Sequence, residues 1–177
     1  MKARNIIVSL AMFSLLAYAS FAQNVKTDYD HNANFSQYKT YSWEAVKTRD
    51  QLNIDRIKNA VDADLRAKGY TQVPSGGSLS LVAMEATKNQ QTLNTVYNGM
   101  GGGWRWRGGF GGDSTTYVDN YKVGTLVLDV FDAQSKKLVW RGSASGTVSD
   151  KADKNIKNLN KGVDKMLKDF PPGSAKA

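Results

Sequence analysis

Two apolar runs constrain the fold most: "YKVGTLVLDVF" from Tyr121 to Phe131 and "KLVWRGSASGTV" from Lys137 to Val148, separated only by the turn "DAQSK". Both are rich in β-branched and aromatic residues and alternate in polarity, so they read as two strands of an antiparallel hairpin. Leu126, Leu128 and Val130 share one face, as do Leu138 and Trp140 on the next strand. Burying both sets together fixes the parity of the pairing and sends Asp129 and Arg141 to the other face. With Val130 opposite Trp140, Asp129 lies opposite Arg141, close enough for a cross-strand ion pair that pins the register. We expect this pair to be structural. A catalytic role for Asp129 or Asp132 is the competing reading, but strand and turn acids more often pair charges or cap turns.

Other elements follow by period. Val25 to Asp30 and Tyr38 to Trp43 read as strands. Ile54, Ile57, Val61 and Leu65 recur at helical spacing, with Asn53 as expected N-cap and Gly69 as stop. "LSLVAMEAT", from Leu79 to Thr87, is apolar on both parities, as for a strand covered on both faces or lying mid-sheet. From Lys151 to Phe170, Ile156, Leu159, Val163, Met166, Leu167 and Phe170 line one side of a helix. Lys154, Lys157, Lys161, Lys165 and Lys168 line the other, and Pro171 and Pro172 end it. The order predicts an α+β fold: a largely antiparallel sheet of about five strands with two main helices packed on one face.

The N-terminus points to export. Lys2 and Arg4 precede an apolar run from Ile6 to Tyr18, followed by small residues at Ala19, Ser20 and Ala22. This is the pattern of a signal peptide, its thirteen-residue core short of the roughly 20 residues of a membrane span. Cleavage is expected after Ala22, with "AYA" before Ser20 as the other pattern. We therefore expect a signal peptide at 1–22, a single domain at 23–172 with a glycine-rich insertion at about 89–119, and a tail at 173–177. Removing 1–22 leaves 22 basic against 16 acidic residues, a formal charge of +6. The chain has no cysteine, which excludes disulfides and lipid attachment through a thioether.

Chemistry-bearing motifs are sparse, and no catalytic, metal or cofactor residue is expected. His31 is the sole histidine and stands beside Asp28 and Asp30, too few ligands for an ordinary zinc set. "DYDHNAN" lacks the glycine and the terminal glutamate of a calcium loop. No GxSxG elbow accompanies the histidine, and no GK[ST] closes the glycine run.

That run, "GMGGGWRWRGGFGG" from Gly99 to Gly112, holds eight glycines in fourteen residues. In extended conformation Trp104 and Trp106 share one face and Arg105 and Arg107 the other. Export, a single RGG unit and the lack of a nucleic-acid-binding fold pattern argue against nucleic acid. Tryptophan favours a lipid interface and arginine its head groups, so an anionic envelope surface is the better functional reading, joined by the lysine face of the last helix. The bland alternative is a glycine-rich spacer and a solvated lysine face.

The segments "VKTDYDHNANFSQYKTYSW", "AKGY", "GTLVLDVFDAQSKKLVWRGSASG" and the terminal "FPP" resemble the bacterial family of domain of unknown function 4136. The resemblance spans nearly all of the chain after residue 22. It implies an exported envelope domain, often a lipoprotein, with an α+β fold and no assigned activity. This chain departs from the lipoprotein form in having no cysteine. The expectation is thus a noncatalytic periplasmic or secreted domain, with a peripheral place at the outer membrane left open, that binds an envelope protein, an anionic lipid or a cell-wall polymer. An enzyme acting on an envelope substrate is the alternative, favoured if Asp28, Asp30, His31 and a further carboxylate meet in one cleft.

Overall fold

A computed structural model describes residues 23–97 and 114–173, with 92–97 and 114–119 described in their backbone. The expected signal peptide at 1–22, Trp104 to Arg107 and the residues beyond Gly173 lie outside the described residues. Six strands and two main helices follow in the order β1 (Asn24–Tyr29), β2 (Thr40–Lys47), α1 (Leu52–Ala67), β3 (Thr71–Gln72), β4 (Leu79–Tyr97), β5 (Ser114–Asp132), β6 (Leu138–Thr147) and α2 (Ala152–Leu167). The sheet runs β1-β6-β5-β4-β2-β3.

The α+β fold with two main helices agrees with the expectation from sequence, and two features of the sheet refine it. Among the described residues it has six strands where about five were expected, and, though β1–β6, β6–β5 and β5–β4 are antiparallel, it is mixed: β2 pairs in parallel with both β3 and β4. The cause is α1, which carries the chain from the end of β2 back to its start, so the strands that follow run in the same direction. The central β5–β6 hairpin is antiparallel, with Val130 opposite Trp140 and Asp129 opposite Arg141.

Both helices cover one face. Leu81, Ala83, Leu128 and Val130 alternate toward it and are buried with Ile57, Val61 and Leu65 of α1 and Val163, Met166 and Leu167 of α2. The opposite face of β4 carries half-buried Val82 and exposed Met84, so apolar residues on both parities here mark a strand in mid-sheet, not one covered twice. α1 is tied to the sheet through Asp62, whose Oδ1 accepts from Tyr41 Oη (2.8 Å) and Trp43 Nε1 (2.9 Å). This burial and bonding raise the Tyr41 phenol well above its ordinary range.

The ends of α1 show which local signals act. Asn53 is not its N-cap. Gln51 holds that position without a side-chain bond, Asp50 just before it accepts from the Leu52 N–H through Oδ1 at 3.0 Å, and Asn53 in the first turn is released for another contact. At the other end Gly69 adopts φ +85°, and Gly69 N and Tyr70 N bond back to Arg66 O and Leu65 O. That is a Schellman stop. In α2, Gly162 lets the helix approach β6, since a Cβ there would stand 3.3 Å from the Ala144 Cβ.

Half of the stretch expected to be loop is strand. β4 and β5 stay paired from Leu79↔Asp132 to Tyr97↔Ser114, whereas β2 leaves β4 at Met84 and β6 leaves β5 at Val123. From Asn89↔Lys122 onward the two continue alone as a ribbon of nine pairs, about 30 Å at ~3.3 Å per residue.

Candidate functional site

The two helices start at the same end of the sheet, because each follows a strand running toward that end and returns against it. There, between the helix starts and the base of the ribbon, lies a cleft of about 400 Å³. Its floor is a row of the sheet, Thr87–Gly124–Gly146, in which two of three residues lack side chains. Glycine inside a strand weakens it and often marks a close approach by a ligand or another backbone.

One wall is a chain of hydrogen bonds that links β4, the β2–α1 connection and α1. Glu85, on the helix-side face of β4, accepts from Thr48 Oγ1 (2.6 Å) and at both oxygens from Asn53 Nδ2 (3.0 Å). Asn53 Oδ1 in turn accepts from Arg56 Nη1 at 2.9 Å. The opposite wall is the start of α2. Asn155 clasps the preceding turn, its Oδ1 accepting from Ser149 N and its Nδ2 donating to Ser149 O, both at 2.7 Å. Gln23 lies across this wall, its Nε2 donating to Asn158 O, and its Oε1 is buried with no hydrogen-bond partner among the described residues. Arg49, Arg56, Asp50, Glu85 and Asp150 bring both signs of charge to the lining.

The residues singled out from sequence are placed elsewhere. Asp129 is buried on the sheet face away from the helices, and Arg141 forks onto it through Nε (2.5 Å) and Nη2 (2.7 Å). That contact raises the guanidinium pKa. Asp132 caps the β5–β6 turn, accepting from Gln134 N and Ser135 N, and also takes the Tyr38 hydroxyl at 2.8 Å. These bonds hold its carboxyl below the usual range. Asp28 bonds the next backbone amide, Asp30 caps Asn32, and exposed His31 lies tilted against Tyr29 with ring centres 4.3 Å apart. None of the three lines the cleft. Among the described residues, no group of three His, Asp or Glu side chains is placed to hold a metal ion, and no helix is long and apolar enough to cross a membrane. Lys154, Lys157, Lys161, Lys165 and Lys168 are all exposed on the outer side of α2.

Sequence reasoning missed the cleft. Its one local signal was the pair of glycines inside strands, Gly124 and Gly146; Glu85 and Arg56 carry no spacing that links them.

A family model described as "Domain of unknown function (DUF4136)" matches residues 25–172. The chain belongs to this family. No protein of curated function matches it. Among solved structures, a PDZ domain protein from Parabacteroides distasonis ATCC 8503 is similar over 85% of this chain, with a TM-score of 0.53 and 15% identity. This chain spans 36% of that protein's length. The PelC dodecamer from Paraburkholderia phytofirmans is similar over 82% of this chain and 95% of its own, with a TM-score of 0.51 and 14% identity. At these identities the DUF4136 chain shares a fold with them.

Proposed function

We propose that this DUF4136 protein is an exported, noncatalytic domain of the bacterial cell envelope that docks on an anionic surface through the outer face of α2. The observation that carries the reading is the lysine stripe. Lys154, Lys157, Lys161, Lys165 and Lys168 are exposed and fall within a sector of about 80°, over about 21 Å of helix. Each lysine near an anionic membrane contributes about 1 kcal/mol, and several on one face act together. The signal-like N-terminus supports export, and Trp104 to Arg107, which lie between β4 and β5 in sequence, supply a second contact of mixed aromatic and cationic character.

The test is co-sedimentation of the processed protein with vesicles of phosphatidylglycerol and of phosphatidylcholine. Binding to the first alone, weakened by salt and lost when Lys157, Lys161 and Lys165 become Glu, is expected. A Trp104→Ala, Trp106→Ala variant reports the second contact. Equal binding by wild type and the lysine variant, or none by wild type, overturns the reading.

A further inference from the structure

The cleft at the helix starts is separate from the lysine stripe, and its lining identifies a different kind of ligand. We propose that it is a binding site for a neutral saccharide, a short segment of glycan laid across the Gly124–Gly146 floor.

Three features of the site select this chemistry. First, carboxamides and hydroxyls from separate parts of the fold meet in the lining, Gln23, Asn53 and Asn155 with Thr48 and Thr87, beside the apolar surface of Leu126, Ala144, Val148 and Leu159. A carboxamide offers two donors and an acceptor on one plane, a hydroxyl one donor and two acceptors, and arrays of sugar hydroxyls are the complement of such groups. Second, the buried Gln23 Oε1 without a partner needs a donor, which an anion or an apolar group does not supply and a ligand hydroxyl does. Third, the glycine floor, bordered by Leu126 and Ala144, is flat and partly apolar, matching the C–H face of a pyranose ring. The volume of about 400 Å³ lies within the ~300–1,000 Å³ of small-ligand sites.

The same lining rejects the alternatives. Three carboxylates, Asp50, Glu85 and Asp150, stand against two guanidiniums, Arg49 and Arg56, so no excess of positive charge draws an anion. An extended peptide gains affinity by adding to a free strand edge, but the floor of the cleft is a sheet face in which β5 is paired on both sides. The polar wall is also held in place before a ligand arrives, because Thr48 and Asn53 fix Glu85 and Asn53 fixes Arg56.

The test is a titration of the isotope-labelled processed protein, followed by amide NMR, with the trimer of N-acetylglucosamine, maltotriose, inorganic phosphate and trialanine as separate probes. Saturable shifts with either saccharide at millimolar concentration, centred on Gly124, Gly146 and Asn155, are expected. Two variants should lose them while the rest of the spectrum overlays wild type. In Gly146→Thr the new side chain fills the floor, its Cβ already 3.4 Å from Gln23 Cγ. In Arg56→Met the backbone is untouched and one polar arm is gone. No saturable shift at the cleft with either saccharide, or shifts there with phosphate or trialanine alone, overturns the proposal. Because this experiment reads the cleft and the vesicle assay reads α2, each can fail without the other.

Discussion

The two ends of the helix-covered face are built from opposite materials. At the lower end, where α1 and α2 finish, Phe170 sits edge-on to Trp140 (5.2 Å between ring centres) and Phe35 (5.9 Å) and tilted on Tyr70 (5.6 Å), and all four are buried. At the upper end the same face carries glycines, hydroxyls and amides around the cleft. Large rings bury 150–250 Å² each and fill space with few rotatable bonds. Glycine leaves space empty and costs backbone entropy. One end is therefore where the fold is held, and the other where it can give up packing for recognition.

That contrast breaks most readily at its sealed end. Phe170→Ala removes the ring that touches three others and should cost about 3–5 kcal/mol, read as a lower urea midpoint with little change in slope. A cost below ~1 kcal/mol would mean that the lower ring cluster does not hold the fold, and the contrast between the ends would lose its basis. Gly142 belongs to the same arrangement. A Cβ there would run into the Trp140 ring and Met166 of α2, so the glycine of the "LVWRG" stretch is the space into which the tryptophan lies.

Midway between the ends, α1 is fastened by polar contacts. Asp62→Ala strands the buried Tyr41 hydroxyl, at about 1–3 kcal/mol for a group left unpaired, and frees the half-buried Trp43 indole N–H at a smaller cost. Adding Tyr41→Phe should restore part of the loss, because one stranded donor disappears. If the double variant is no more stable than the single one, the tyrosine bond contributes nothing and the helix is held by Ile57, Val61 and Leu65 alone.

How much of this was legible in the chain depends on how far apart the partners lie. The parity of the β5–β6 hairpin was readable because its two strands are joined by a five-residue turn and each carries a one-sided apolar pattern. The inner face of α2 was readable because helical period is local. The parallel pairing of β2 with β4 was not, because it depends on α1 crossing back over the sheet, and two-residue β3 is too short to show alternation. The cleft was hardest. Asn53 has the residue type of a cap and Glu85 that of a surface position; their bond, 32 residues apart in sequence, exists only once α1 has docked over β4.

The smallest expected effect sharpens the contrast by exposing a flaw in the sealed end. Asp64, three-quarters of the way along α1, has its carboxyl pushed above the ordinary range, first by burial and then by the charge of Asp164 on α2, with Lys68 opposing. A carboxyl whose folded pKa is raised binds its proton more readily folded than unfolded. The protein therefore gains stability from this group as pH falls through the folded value toward the unfolded value of about 3.9. At neutral pH the charged Asp64 is a net cost. Asp64→Asn should then raise the melting temperature slightly at pH 7, by a degree or two, and the advantage should shrink as the solution is acidified and wild type sheds the same charge. Asp132 runs the other way, since its lowered carboxyl stabilises the fold above about pH 4 and loses that contribution as pH falls through its folded value. Comparing Asp64→Asn with wild type at each pH cancels the Asp132 contribution, because both proteins carry it. An advantage that stays constant from pH 7 to pH 4 would mean that neither burial nor the charge of Asp164 raises the Asp64 carboxyl, and that the lower seam is looser than its rings imply.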